Sequence, residues 1–348
     1  VEGRMLTKRI AVIGAGSWGT ALASVCAAND FQVTLWVRDP KNAHEINTNH
    51  TNEKYLPGIT LSDTIVAETD LQQVVTEKTS IILALPSKAM REVVKQISPW
   101  LHPDVTLIHA TKGFELESLK RMSEVIREEV PKEIGDRVVV LTGPSHAEEV
   151  IQQSPTTVVV ASECEESMLK AQDILMNSYF RVYTNPDMIG AEIAGALKNI
   201  IALGAGLSDG LGYGDNAKAA LLTRGLAEIG RFGVKLGANP LTFAGLAGVG
   251  DLVVTCTSKH SRNWRAGYML GQGKNLDEVL AHMGMVVEGV RTTKAAKALA
   301  EREGVEMPIT KVFYQVFFGD CSPRQAVEEL MGRGRRLELE DIVRYKDK

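Results

Sequence analysis

The stretch IAVIGAGSWGTALA, Ile10 to Ala23, decides the fold. A short apolar run leads into Gly14, Gly16 and Gly19, and an alanine-rich segment with helical character follows. Strand, glycine-rich turn and helix in that order turn a bare G-x-G-x-x-G into a dinucleotide-binding fingerprint. Gly14 suits the tight turn and Gly16 the close approach of a pyrophosphate to the backbone. Gly19 lets the helix pack close to the sheet. The helix start adds unbonded N–H groups and the positive end of a dipole. The alternative, a tight strand–helix turn that binds nothing, is the weaker reading once strand, turn and helix stand in that order.

Working outward, further β-branched runs lie at 32–37 (QVTLWV), 79–85 (TSIILAL), 105–110 (VTLIHA), 137–142 (RVVVLT), 156–162 (TTVVVAS) and 180–184 (FRVYT). Helical patterns fall between several of them, at 20–29, 88–97, 118–130 and 166–176. Apolar strands alternating with amphipathic helices predict an α/β Rossmann-like domain with a mostly parallel sheet covered on both faces. The turn dipeptide Asn185-Pro186 ends this regime. Beyond it, Ala/Leu/Gly-rich helical patterns such as 217–237 and 289–304 predict an all-α domain. The expected division is therefore 5–186 and 187–348, with VEGR at 1–4 read as an artificial leader remnant.

A chain of 348 residues with 44% hydrophobic content can build two cores. The net charge of −4 gives no reason to expect nucleic acid or an anionic membrane as partner, so an anionic ligand needs a local basic cluster. No run of eighteen uncharged apolar residues indicates a membrane span, and no signal-peptide pattern opens the chain. The four cysteines are scattered, without a CxxC pair or zinc-like His spacing. No metal is expected, and a reduced cytoplasmic enzyme is the simplest reading. Arg333, Arg335 and Arg336 read as a solvated helix end.

Ligands of open α/β sheets gather beyond the carboxyl ends of the strands. Arg38 followed by Asp39 stands at one such end. The Arg suits a 2′-phosphate and the acid a ribose hydroxyl, so NAD and NADP both stay open. Lys112 follows another strand, where it reads as a cleft cation or a solvated loop residue. Ser145 follows a third and has capping-box spacing to Glu148. Lys198 is the anomaly. Its neighbours at helical spacing, Ala191, Ala194, Gly195, Ile201, Ala202 and Ala205, are apolar and mostly small, and none is acidic. Either it snorkels out of a half-buried helix, or it is a buried cation with a task. Asp251 reads as a lysine partner or as a helix N-cap. In TSKHSRNWR, Ser261, Arg262 and Asn263 are suited to a phosphate, with Lys259, His260 and Arg265 as solvated neighbours.

Taken in order, GAGSWGTALA, ATKGF, GPSHAEE, GALKNIIALGAGLSDGLGYGDN, AGVGDLVVTCTSKHSRN and MVVEGVRTT resemble bacterial NAD(P)-dependent glycerol-3-phosphate dehydrogenases, from Arg9 to about FYQVFF at 313–318. The resemblance implies a Rossmann domain joined to a helical one, with the active site in the cleft between them. It implies sn-glycerol 3-phosphate or dihydroxyacetone phosphate as substrate, NAD or NADP as cofactor, a homodimer, and supply of glycerol phosphate for phospholipids. By motif, Gly14, Gly16, Ser17, Trp18, Gly19, Arg38, Ala147, Val286 and Glu288 would serve the cofactor. Gly143, Ser145, Lys198, Asp251, Ser261 and Asn263 would line the substrate site, with Lys112 and Arg262 serving both ligands. Lys198, Lys112 and Asp251 would be catalytic. In that setting Lys198 supplies the proton a reduced ketone needs, and Lys112 stabilises the developing charge. Two rivals differ in their needs. A dehydrogenase of hydroxy acids or imines needs a carboxylate holder, and a dinucleotide sensor without turnover has little use for Lys112, Lys198 and Arg262 together.

Overall fold

The computed structural model describes residues 9–284, 286–335 and 338. The expected leader remnant, Met285 of MVVEGVRTT and Arg336 of the basic run lie outside them. The chain forms two compact units. Among the described residues, one comprises those up to Thr111 together with Met122–Met188; the other joins Lys112–Arg121 to those from Ile189 on.

The first unit is an eight-stranded sheet: β1 (Arg9–Ile13), β2 (Gln32–Trp36), β3 (Ile65–Glu68), β4 (Ser80–Leu83), β5 (Thr106–His109), β6 (Val139–Thr142), β7 (Thr156–Ala161) and β8 (Phe180–Asn185). Their order is β3-β2-β1-β4-β5-β6-β7-β8, parallel throughout except where β7 runs against β6. Its helices are α1 (Ser17–Ala28), α2 (Pro40–Asn49), α3 (Leu71–Val75), α4 (Met90–Ile97), α5 (Met122–Glu129), α6 (Lys132–Gly135), α7 (Ala147–Val150) and α8 (Glu165–Leu175). Residues along β1 alternate between two separate cores. Ile10 and Val12 join one, Ala11 and Ile13 the other. That division is the signature of a sheet covered on both faces. The chain winds from β1 outward to β3, then crosses to β4 on the other side of β1. The switch point falls between the ends of β1 and β4.

Two departures from the sequence reading have local causes. Strand β3, absent from the strand candidates, is a four-residue edge with Ile65 and Ala67 buried and Val66 exposed. Alternation over so short a run is a weak signal. The helix expected from 118 starts at Met122, because Leu119 is left-handed at φ +60° and Lys120 accepts a backbone bond from Glu115 at 2.9 Å.

The second unit is helical: α9 (Met188–Gly210), α10 (Asp215–Lys235), α11 (Asp251–Thr257), α12 (Arg262–Gly271), α13 (Leu276–Met283), α14 (Glu288–Glu303), α15 (Pro308–Phe318) and α16 (Pro323–Met331). By length and hydropathy α9 could cross a membrane, yet 94% of its apolar window is buried in the protein, which makes it a core helix. Glycines let α9 and α12 touch backbone to backbone. A Cβ on Gly206 would lie 1.9 Å from the Trp264 carbonyl oxygen, and one on Gly267 equally close to that of Leu203. This seam sets the start of α12 beside the middle of α9. After α16, Arg333 pairs with Glu306 at 2.8 Å.

Candidate active site

The turn after β1 has the form a dinucleotide needs. Gly14 is left-handed at φ +114°, and a Cβ there would sit 2.4 Å from the Ala84 carbonyl oxygen. A Cβ on Gly19 would fall 1.8 Å from the Gly14 oxygen, so α1 rests directly on the turn. Gly16 is the opposite case: a Cβ there would meet nothing within 4 Å. Open space over Gly16, at a helix start without a side-chain cap, fits an approaching pyrophosphate. Asn52 braces the turn by donating to the Ala15 carbonyl at 3.0 Å. Ser17 donates its hydroxyl to the Tyr55 carbonyl at 2.9 Å, which shapes the loop. Trp18 is half-buried against the core. Arg38 is exposed beyond β2, whereas Asp39 caps α2 by accepting from the Lys41 N–H at 3.0 Å.

The segment after β6 corrects one expectation. Ser145 forms no capping box; its hydroxyl donates to the Gly143 carbonyl at 3.0 Å, and His146 stands at the N-cap of α7. Helix α7 starts one residue later than that spacing needs, which leaves Ser145 outside the cap position, and Gly143 before it is left-handed at φ +123°. Ala147 is the buried first residue of α7.

In the helical unit, Lys198 does not snorkel. It is 5% exposed. Its partner comes from another helix: Nζ lies 2.5 Å from Asp251 Oδ1 and 2.6 Å from Thr255 Oγ1. Lys112 Nζ binds the other oxygen, Oδ2, at 2.7 Å. Asp251 therefore does not act as an N-cap; it begins α11, after a wide π-type turn over Leu246–Gly250. Thr255 donates to the Asp251 carbonyl at 2.6 Å, which turns its lone pairs toward Lys198.

Two ammonium groups on one buried carboxylate leave an excess positive charge. Burial alone would raise the Asp251 carboxyl, but Lys112 and Lys198 outweigh it and hold the group below the usual carboxylate range. Lys198 moves down to about 8, chiefly through burial, against the pull of Asp251 and with the repulsion of Lys112. Cys256, behind the cluster, is pushed up to about 12 by burial.

An amide relay extends from this cluster. Gly289 N–H donates to Asn263 Oδ1 at 2.9 Å, Asn263 Nδ2 to Asn199 Oδ1 at 3.0 Å, and Asn199 Nδ2 to the Lys112 carbonyl at 3.2 Å. The end groups can play only one part each, so the orientation of both amides is settled. Ser261 caps α12 by accepting from Trp264 N–H at 3.1 Å, and Arg262 is exposed in the first turn. Lys259 and His260 are exposed, as expected of solvated neighbours. Val286 and Glu288 flank the N-cap of α14, Glu288 directly before the Gly289 end of the relay. Sequence reasoning passed over Thr255 and Asn199. The four-residue spacing from Asp251 to Thr255 puts both on one helix face, and Asn199 is a polar residue beside Lys198 in an apolar run.

Family models of the N-terminus and C-terminus of NAD-dependent glycerol-3-phosphate dehydrogenase match residues 9–168 and 187–328. The chain belongs to that family. Enzymes named glycerol-3-phosphate dehydrogenase [NAD(P)+] from Geobacillus kaustophilus and Geobacillus thermodenitrificans are 59% and 58% identical to it. The matches cover 96% and 97% of this chain, and 97% and 98% of those proteins. The crystal structure of glycerol-3-phosphate dehydrogenase from Coxiella burnetii superposes with a TM-score of 0.89 at 39% identity, covering 94% of this chain and 99% of that one. As a glycerol-3-phosphate dehydrogenase family member, the protein is an NAD(P)-linked oxidoreductase with a Rossmann-like unit and a helical one.

Proposed function

We propose that this protein interconverts dihydroxyacetone phosphate and sn-glycerol 3-phosphate, with Lys198 as general acid/base. The observation that carries the reading is a single buried carboxylate, Asp251, shared by Lys198 and Lys112. When bound, the nicotinamide supplies or accepts the hydride at the substrate C2. The chain's own part is the proton. Asp251 and Thr255 hold two of the three N–H groups of the Lys198 ammonium, which leaves the third to pass to a developing alkoxide. A pKa of about 8 lets the same amine return as base in the opposite direction. Lys112, the second cation on Asp251, stabilises negative charge as it forms on that oxygen.

The substrate phosphate is assigned to Arg262, whose exposed guanidinium offers a planar fork at a helix start. Ser261 and Asn263 flank it. Asn263 commits its oxygen to Gly289, so it contributes through its second amide N–H. Gly14, Gly16 and Gly19 would admit the pyrophosphate to the start of α1. Ser17, Trp18, Arg38, Ala147, Val286 and Glu288 complete the cofactor set carried over from the family, as Gly143 and Ser145 complete the substrate set. A cytoplasmic homodimer that supplies glycerol phosphate for phospholipids belongs to the same reading, and the four free thiols suit a reducing compartment.

Oxidation of NADH or NADPH on addition of dihydroxyacetone phosphate is the direct test. Lys198→Ala should lower turnover about a thousandfold with little change in cofactor affinity. An active Lys198→Ala enzyme refutes the acid/base role. Arg262→Ala should mainly raise the substrate KM, and an unchanged KM removes the phosphate from that residue.

A further inference from the structure

The Lys112–Arg121 segment lies between β5 and α5 in sequence, yet it packs as part of the helical unit. Its base is closed by a bridge between Phe114 and Arg121 and by the Glu115–Lys120 backbone bond, and Ser118 binds the Glu115 carboxylate. Both of its ends are fastened to α9. At one end Asn199 donates to the Lys112 carbonyl. At the other, Arg121 Nη1 meets Glu192 Oε2 at 2.6 Å, with side chains only 13% and 4% exposed. Glu192 and Asn199 are seven positions apart on α9, so they share a face about 10 Å apart along its axis. Lys198 stands next to Asn199. One rigid helix thus carries the acid/base lysine and both anchors of the loop that delivers the second ammonium.

We propose that the buried Arg121–Glu192 ion pair is a positioning device. It clamps the far end of the Lys112–Arg121 loop to α9 and so keeps the Lys112 ammonium on Asp251. Neither residue reaches the reacting atoms; both act through Lys112. The inference rests on the acid/base reading of Lys198 given above. A lysine side chain has several rotatable bonds and much rotamer entropy to lose, so its ammonium is held only as well as the backbone beneath it. The groups facing Lys198 are Asp251, Thr255 and Cys256 of α11 and Lys112 of this loop. When Lys112 withdraws, a repulsive neighbour is lost and Lys198 holds its proton to higher pH.

The experiment compares pH profiles of kcat/KM for dihydroxyacetone phosphate in Lys112→Met, Arg121→Met, Arg121→Lys and Glu192→Gln, with thermal midpoints and cofactor KM recorded beside them. Lys112→Met should displace the alkaline limb upward by about one unit. Arg121→Met and Glu192→Gln should displace it in the same direction and lower kcat/KM roughly 10- to 100-fold at unchanged cofactor KM. Arg121→Lys should restore most of both. A displaced limb in Lys112→Met with a wild-type limb in Arg121→Met overturns the clamp and spares the acid/base role. An undisplaced limb in Lys112→Met overturns the acid/base reading and the clamp with it. A lowered midpoint with an unmoved limb in both clamp variants reduces the ion pair to a structural one.

Discussion

Lys198 and Asp251 stand 53 positions apart in the chain, yet the lysine ammonium rests 2.5 Å from the carboxylate inside the helical core. The carboxylate stays ionised because Lys112 occupies its other oxygen. The lysine is left near its point of proton release.

The proposed acid/base role of Lys198 predicts opposite pH dependences for the two directions. Ketone reduction needs the charged amine, so its kcat/KM should fall as pH rises through about 8. Alcohol oxidation needs the neutral amine and should fall as pH drops through the same value. Initial rates from pH about 6 to 10 in both directions check this, since kcat/KM reports the free enzyme. Parallel limbs in the two directions would refute it.

Gly16 and Gly19 should fail differently. Gly16→Ala places a methyl group in open space above the turn, so the fold tolerates it while a pyrophosphate does not. Cofactor KM should rise about tenfold or more at an unchanged thermal midpoint. Gly19→Ala drives a methyl into the Gly14 carbonyl and should lower the midpoint itself. Calorimetry beside cofactor titration separates the two.

Glu228 is a structural carboxylate. Buried in α10, it accepts from Ile309 N–H at 2.8 Å and from Thr310 N–H and hydroxyl at 2.9 and 2.7 Å, capping α15 from a neighbouring helix. Burial raises its pKa despite those donors. Glu228→Ala strands two backbone N–H groups and should cost roughly 3 kcal/mol. Glu228→Gln keeps one acceptor and should cost less. Denaturant melts of the two variants give the comparison.

Gly289 bears on the amide relay. A Cβ there would lie 2.6 Å from the Asn199 carbonyl oxygen and 2.8 Å from Asn263 Oδ1. Gly289→Ala should separate α14 from the relay, loosen the Asn199 grip on Lys112, and lower kcat/KM for the ketone about tenfold. A variant with wild-type kinetics would show that the relay is dispensable.

The Rossmann-like unit was legible because its signals are local. In β1 and its turn, alternating burial, a left-handed Gly14 and a helix start all arise from residues within one strand–turn–helix. Short-range sterics decide such features, and sequence records them directly. The helical regime after Asn185 was legible for the same reason, whereas the small neighbours of Lys198 left its burial and a snorkelling side chain equally open.

What tertiary structure alone decided is who pairs with whom. No spacing within α9 predicts that Asp251 and Thr255 bind the Lys198 ammonium, or that the segment after β5 packs with the helical unit and brings Lys112 to the same carboxylate. Charge pairing of buried groups follows from which helices meet. Here Lys198 of α9 meets Asp251 of α11 across 53 positions, while the Gly206–Gly267 seam holds α12 against α9, contacts that join distant parts of the chain.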